Sequence, residues 1–231
     1  MKALAALALA ALVLTGCRIP QDTDGTTDRI RRDGVLRAGI SESDPFVVLE
    51  PGKPPAGAEV RLLERFARTL GARVEWIEGS EEEHVDALRE GSIDVMAAGL
   101  TSKSRWKKEV AFTRPYLTTE TVVGVPVGAS YPTDLANVRV SAEEGNEAVG
   151  LAERKTNALV APVDELKPGG PAAVGDWLLG DLRLMPLTVL KKDKHVMAVK
   201  NGENELLVRL ERFLLNREGE ARRLVDEEGK P

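Results

Sequence analysis

The sequence is short of the residues that most often carry chemistry. Its 231 residues include one cysteine, Cys17, and two histidines. A lone Cys forms no internal disulfide, and the rest of the chain offers no thiol site. His84 stands on a charged helix start and His195 at a strand edge, too far apart in the expected order to share a metal. Both read as structural or exposed, so neither a metal nor a cofactor is expected. Gly-x-Ser-x-Gly elbows, P-loops and Rossmann glycine patterns do not occur. A membrane-crossing run is lacking as well: the apolar stretch Ala3 to Leu14 (ALAALALAALVL) falls short of the roughly 20 residues a spanning helix needs. Nor is positive charge in excess. Lys2 is the only charge in residues 1–16, so the remainder carries one cation fewer than the chain's 32 Lys+Arg against 37 Asp+Glu, a net charge of −6. That balance argues against a nucleic-acid partner.

What the N-terminus does contain is an apolar run behind a single cation, the form of a secretory signal. It ends in Leu14-Thr15-Gly16-Cys17, which resembles the bacterial lipobox, where small residues lead a peptidase to a Cys whose thiol carries a diacylglycerol. The expectation is a signal peptide over residues 1–16 and lipidation at Cys17. Two or more acyl chains on that residue anchor stably where one is marginal. The alternatives are a signal peptide with an incidental thiol, or a cytosolic protein with an apolar start. Arg18 to Thr27 (RIPQDTDGTT) is polar and contains Pro and Gly, as a tether would be, so residues 17–27 are read as lipidated Cys and tether.

The remaining 200 or so residues suffice for one large domain or two small lobes. Val35 to Ile40 reads as a strand, followed by a turn-rich stretch from Ser41 to Gly57. Val60, Leu63, Ala67 and Leu70 recur at helical spacing ahead of Gly71. Arg73 to Ile77 alternates as a strand does. Ser80-Glu81-Glu82-Glu83 has the form of a capping box opening a helix that runs to Gly91, and a buried strand follows at Ile93 to Ala97. This β-α-β-α-β order predicts an α/β fold with helices on the faces of a mostly parallel sheet. The order restarts with strand Val138–Ser141, a helix from about Asn146 to Arg154, and strands Ala158–Ala161 and Ala172–Gly175, which suggests two lobes. Thr118 to Val127 would cross between them as an extended strand. The tail reads as a strand over His195–Val199, a long helix with Leu206, Leu207, Leu210, Phe213 and Leu214 on one face, and a charged helix over residues 218–228.

In that order the segments Arg29-Ile30-Arg31-Arg32-Asp33-Gly34-Val35-Leu36-Arg37-Ala38-Gly39, Gly57-Ala58-Glu59-Val60-Arg61-Leu62, Gly91-Ser92-Ile93-Asp94-Val95-Met96-Ala97-Ala98-Gly99-Leu100-Thr101 and Phe112-Thr113-Arg114-Pro115-Tyr116 resemble the extracellular solute-binding proteins of family 3, of the periplasmic binding-protein type II fold. Asp134-Leu135, Val138-Arg139-Val140 and the stretch from His195 to Gly219 continue the pattern. The resemblance implies two lobes, each a mostly parallel sheet flanked by helices, joined by two hinge strands. Lobe one would span 28–119 plus 195–231 and lobe two 121–192, with a ligand in the cleft that hinge closure buries.

The same resemblance supplies candidate ligand-binding residues. An amino-acid ligand needs donors for its carboxylate and an acid for its ammonium. Thr101 falls on the family's Thr, and Asp176 on its ammonium-binding Asp. The carboxylate-binding Arg position falls on Trp106, with Arg105 one place earlier. Arg105 reaches the cleft only if its loop relaxes, and is otherwise a surface residue; Trp106 either offers a face for stacking or cation–π contact or packs between lobe one and the hinge. The second-lobe turn reads Gly145-Asn146-Glu147, without the family's hydroxyl, and Glu147 would repel a carboxylate. Phe46 matches a position that often walls the pocket and is as often plain core. Asp44, Glu81, Glu147 and Asp176 opposed only by Arg105 would favour a cation or neutral polar ligand.

The leading expectation is a non-enzymatic, monomeric substrate-binding lipoprotein of an ABC importer, exported and lipid-anchored to the membrane. It would bind an amino acid or amine, with an ABC permease as partner. The alternatives are a sensor or interaction lipoprotein with a degenerate binding-protein fold, and a periplasmic lyase of the cyclohexadienyl dehydratase type. With little sequence after the last family helix, a second catalytic domain is not expected.

Overall fold

A computed structural model of the chain describes residues 21–229, so Cys17 and the proposed leader lie outside the described residues. Helix α1 (Thr26–Asp33) lies between two left-handed glycines, Gly25 and Gly34, and leads into strand β1 (Val35–Ile40). Helix α2 (Ala58–Thr69) carries the apolar periodicity of residues 60–70, burying Val60, Leu62, Leu63, Phe66 and Ala67. Strand β2 (Arg73–Glu78) lies parallel to β1, Val35 opposite Arg73. Ser80 and Glu83 form the reciprocal capping box expected of them and open α3 (Glu81–Glu90), which ends on left-handed Gly91. Strand β3 (Val95–Ala97) returns parallel to β1.

Strand β4 (Ala111–Phe112) and the long β5 (Leu117–Pro126) follow, and β5 enters a second sheet. That sheet adds β6 (Arg139–Glu143), α4 (Glu147–Lys155), β7 (Leu159–Val163), β8 (Ala172–Gly175) and β9 (Leu184–His195). The chain then returns to the first sheet as β10 (Ala198–Val199) and closes with α5 (Asn204–Leu215) and α6 (Glu218–Glu228). The strand orders are β2-β1-β3-β10-β4 and β7-β6-β8-β5-β9. In each sheet the βαβ units make the parallel part; the antiparallel part is β10 with β3 and β4 in the first sheet and β5 with β8 and β9 in the second.

Side-chain alternation places a core on both faces of each sheet. Along β3 and just beyond, Val95 and Ala97 join Leu36, Leu63, Phe66, Leu210 and Phe213, whereas Met96 and Ala98 join Val85, Leu88, Trp106 and Val196. In the second sheet Val123 and Ala173 pack with Val140 and Leu151, and their neighbours Val122 and Val174 pack with Leu182 and Leu184. Asp94, in the Gly-Ser-Ile-Asp motif, serves the first sheet structurally. Its buried carboxylate accepts the Arg37 N–H at 2.8 Å and pairs with Arg29 and Arg37 at 2.6 and 2.7 Å.

Three stretches differ from the sequence expectation. Residues 22–27, read from the sequence as tether, are tied to the folded body: Asp22 accepts the N–H groups of Thr27 and Leu206, and Glu203 accepts those of Asp24 and Thr26. The two acids thereby satisfy the free donors at the starts of α1 and α5. The twelve-residue β9 was not expected, since Pro186 and the Lys191–Lys194 charges hide its alternation. Both are tolerated because β9 is an edge strand whose neighbour in the sheet is β5, and two bulges adjust the register opposite. The tail strand read over His195–Val199 is the end of β9 and the short β10, with Val196 and Met197 between them.

The crossing is held by one buried acid. Glu59, on the first turn of α2, is fully enclosed; Tyr116 Oη donates to its carboxyl at 2.7 Å and the Gly99 N–H at 3.0 Å. Tyr116 immediately precedes β5. Burial pushes the Glu59 carboxyl from its ordinary 4.5 up to about 7, the two donors only partly opposing that shift. Below pH 4.5 both folded and unfolded chains hold the proton. Between 4.5 and 7 only the folded chain does, so stability falls as pH rises, by at most on the order of 3 kcal/mol. Glu59→Gln mimics the protonated acid, its carbonyl accepting from Gly99 and its amide donating to Tyr116. Urea unfolding at pH 5 and pH 8 is expected to show a clearly smaller loss of stability in the variant than in the unaltered chain; equal losses would refute the assignment.

Candidate functional site

Two connections place side chains between the sheets. The turn after β1 is tied by Ser43 N–H to the Val47 carbonyl at 2.8 Å and by Phe46 N–H to the Ser43 carbonyl at 2.7 Å, and Asp44 stands at its tip. On the opposite side β8 ends at Gly175, and a single 3₁₀ turn, Asp176–Leu178, presents Asp176 and Trp177.

Trp177 crosses from the second sheet to the core of the first. Its ring meets Phe46 edge-on, with centroids 6.3 Å apart and planes at 78°, and it packs against the first sheet's core. Glycines permit this approach: a Cβ on Gly175 would lie 2.4 Å from the indole, and one on Gly229 2.2 Å from it.

The indole divides the cleft. On one side is a space of about 410 Å³ lined by Asp176, Gly180, Asp181 and, from α6, Arg222, Arg223, Asp226 and Glu227. Its central charges satisfy each other, since Arg222 donates to Asp176 at 3.0 Å and pairs with Asp226 at 3.1 Å. On the other side is a compartment of about 250 Å³, between Asp44 and Gly229 from the first sheet's elements and Glu143, Asn146, Glu165, Leu166, Leu178 and Leu182 from the second's. All of its charged side chains are acids. Burial, followed by the charges of Glu42, Glu143 and Glu228, pushes the Asp44 carboxyl above its usual range.

The candidates drawn from the sequence are therefore dispersed. Asp44 and Asn146 meet in the acidic compartment, where Asn146 also caps α4 by accepting the Ala148 N–H at 2.9 Å. Asp176 faces Arg222 in the neighbouring space. Phe46 is core, stacked on His195 at 4.1 Å, and Thr101 uses its hydroxyl to accept the Lys103 N–H of its own turn at 3.3 Å.

Arg105 does not reach the cleft. Its exposed guanidinium lies over the Trp106 ring at 4.1 Å and 3.9 Å from Glu82, which keeps it on the surface beside α3. Trp106 is core, burying its ring among Val85, Leu88 and Val110 while its indole N–H donates to Glu81 at 2.6 Å. Both belong to the far side of the first sheet, so the motif position that fell on Trp106 supplies packing. Glu147 is exposed and engaged by Lys191 at 2.8 Å.

His84 and His195 are both buried. His84 Nε2 donates to the Ile40 carbonyl at 2.9 Å, and His195 Nε2 lies 2.8 Å from the Thr119 hydroxyl. Burial pushes the His195 imidazole down to about 4, so it is neutral at physiological pH.

Reading the sequence did not single out Glu143, Glu165, Trp177 or Arg222. Trp177 was within reach, as a large aromatic placed directly after Asp176. Arg222 carries no local signal, because its partner is set by the way α6 folds back over the cleft.

Comparison with known proteins fits this geometry. The family model described as bacterial extracellular solute-binding proteins, family 3, matches residues 36–227. Among curated proteins, the membrane-bound lytic murein transglycosylase F of Pseudomonas fluorescens (strain Pf0-1) is 30% identical over 129 residues, which is 55% of this chain and 26% of that protein. The chain thus spans about a quarter of that relative's length. Among solved structures, an ancestral cationic amino acid solute binding protein superposes with a TM-score of 0.71 at 20% identity, covering 89% of this chain and all of the other. A polar amino acid ABC uptake transporter substrate binding protein from Streptococcus thermophilus gives 0.70 at 15% identity, covering 89% of each chain. At these identities the two structures speak for the fold alone.

The Asp176–Arg222 pair joins the second sheet to the last helix with only 19% and 31% of the side chains exposed. Removing Arg222 leaves Asp176 enclosed without its cation, a costly arrangement. A double-mutant cycle with Asp176→Ala and Arg222→Ala, read by urea unfolding, is expected to give a coupling of about 1–2 kcal/mol. A coupling near zero would show that the pair does not hold the second sheet to α6.

Proposed function

The chain belongs to the bacterial extracellular solute-binding proteins of family 3, and on that premise we propose that it holds a small polar solute, an amino acid or an amine, in the acidic compartment between its two sheets. The observation that carries this reading is the compartment itself, enclosed by residues from both sheets and walled by an indole and three leucines. Its volume of about 250 Å³ lies just below the roughly 300–1,000 Å³ of drug-sized ligand sites, which suits a small solute. We read the role as binding rather than catalysis, with domains divided near the β5–β9 crossing, delivery of solute to an ABC permease, and attachment through lipid on Cys17. The connection at β5 and β9 supports a hinge between the two halves, because Leu117 pairs with His195 where both strands leave the first sheet.

A second reading, a sensor or interaction domain that imports nothing, draws support from the Asp176–Arg222 pair. Here the chain's own guanidinium occupies the acid that the resemblance assigns to a ligand's ammonium. Its similarity to part of a murein transglycosylase is compatible with such a role. Binding indifferent to Asp176→Ala, with no transporter coupled to the protein, would favour it.

Thermal unfolding of the purified chain with a panel of amino acids and amines tests the leading reading. A ligand at a hundred times its Kd adds about 2.7 kcal/mol, which raises Tm by roughly 5–10 °C for a protein of this size. No shift across a broad panel would sink it.

The anchor is tested separately by fractionating bacterial cells that express the chain. The unaltered protein is expected in the membrane fraction and Cys17→Ser in the soluble fraction. An unaltered chain found free of membranes would refute lipidation at Cys17.

A further inference from the structure

An α-amino acid brings two opposite charges into a site, and each needs an opposing group once water is displaced. The compartment beside Trp177 is furnished for one of them. Its charged lining consists of Asp44, Glu143 and Glu165, and it includes no Lys, Arg or His. Asn146, the neutral polar side chain of the lining, has its Oδ1 committed to the Ala148 N–H. That bond also takes up one of the helix-terminal donors that would otherwise face an anion.

Two cations on neighbouring elements are engaged elsewhere. Lys191 lies 2.8 and 2.9 Å from Glu147 and Asp193, and Arg222 is held between Asp176 and Asp226. Among the described residues this leaves Asp44 and Glu143 without a cationic partner, while Glu165 has Lys167 at 3.7 Å. The rest of the wall is apolar and includes the indole of Trp177, a surface that attracts a cation through its ring face.

We propose that this compartment takes an organic monocation, an amine or guanidine with a short apolar body and no carboxylate, in preference to the corresponding amino acid. The ammonium or guanidinium would sit between Asp44 and Glu143, and the body would lie against Trp177, Leu178 and Leu182. Among the described residues of the lining, a carboxylate in the same space would meet three acids and no cation. The crowding that holds the Asp44 carboxyl above its usual range is what a bound cation relieves. This inference rests on the reading of the compartment as the solute site.

Isothermal titration of the purified full-length chain with two matched pairs, agmatine against L-arginine and phenethylamine against L-phenylalanine, provides the test. At least one amine is expected to bind tenfold or more tightly than its parent amino acid. Asp44→Asn and Glu143→Gln are each expected to weaken that amine at least fivefold, with the Tm of the unliganded protein not lowered, because both residues are exposed and each substitution removes a repelling charge. An amino acid that binds as tightly as its amine, or an amine indifferent to both substitutions, overturns this inference and leaves the solute-binding reading standing. Silence towards amines and a broad set of amino acids alike overturns both.

Discussion

The carboxyl of Glu59 is the point on which the geometry of the cleft depends. It ties the start of α2 to Gly99 behind β3 and to Tyr116 at the mouth of β5, so three elements of different sequence origin share one buried acceptor. Gly99 has φ +61°, and a Cβ there would lie 2.1 Å from the Ser43 hydroxyl, so only glycine lets its N–H reach the acid. Ser43 in turn opens the turn that carries Asp44. A displacement at Glu59 therefore reaches both the crossing strand and the acid at the lip of the compartment. Burial makes the neutral form of such a carboxyl the favoured one, which suits a junction that must add no uncompensated charge to a core.

The fold was legible wherever periodicity and punctuation agreed. The apolar stripe from Val60 to Leu70, the Ser80–Glu83 box and the run ending at Ala97 each point to one local structure, and their order points to βαβ units. The failures have physical causes. Strand β9 is an edge strand, and an edge accepts Pro186 and a run of charges that would be excluded from a central strand. Helix α1 was not read from the sequence, and its first two residues fell in the expected tether, because its first donors are satisfied by Asp22 and Glu203, and the second of these lies at the other end of the chain.

The site was less legible than the fold, since a motif fixes a position in sequence and the geometry decides where that position points. Thr101, Arg105 and Trp106 follow one another closely, yet the first holds its own turn, the second is on the surface and the third is core. Asp176 is at the cleft as its motif position implied, but it faces Arg222 from the last helix. The groups that distinguish this cleft, Glu143 and Trp177, become neighbours of Asp44 only when the two sheets approach. No local pattern encodes that approach.

The reciprocal bonds of Asp22 and Glu203 also fix where a pull on the chain would enter the body. Tension applied ahead of residue 21 would pass through Asp22 into the start of α5 and the core beneath the first sheet, by way of Leu206 and Leu210. The second sheet lies off this load path, connected through β5 and β9. The half that contributes Asp44 is thus the one next to the N-terminal chain, and the half that contributes Glu143, Asn146 and Trp177 is reached only through the two crossing strands.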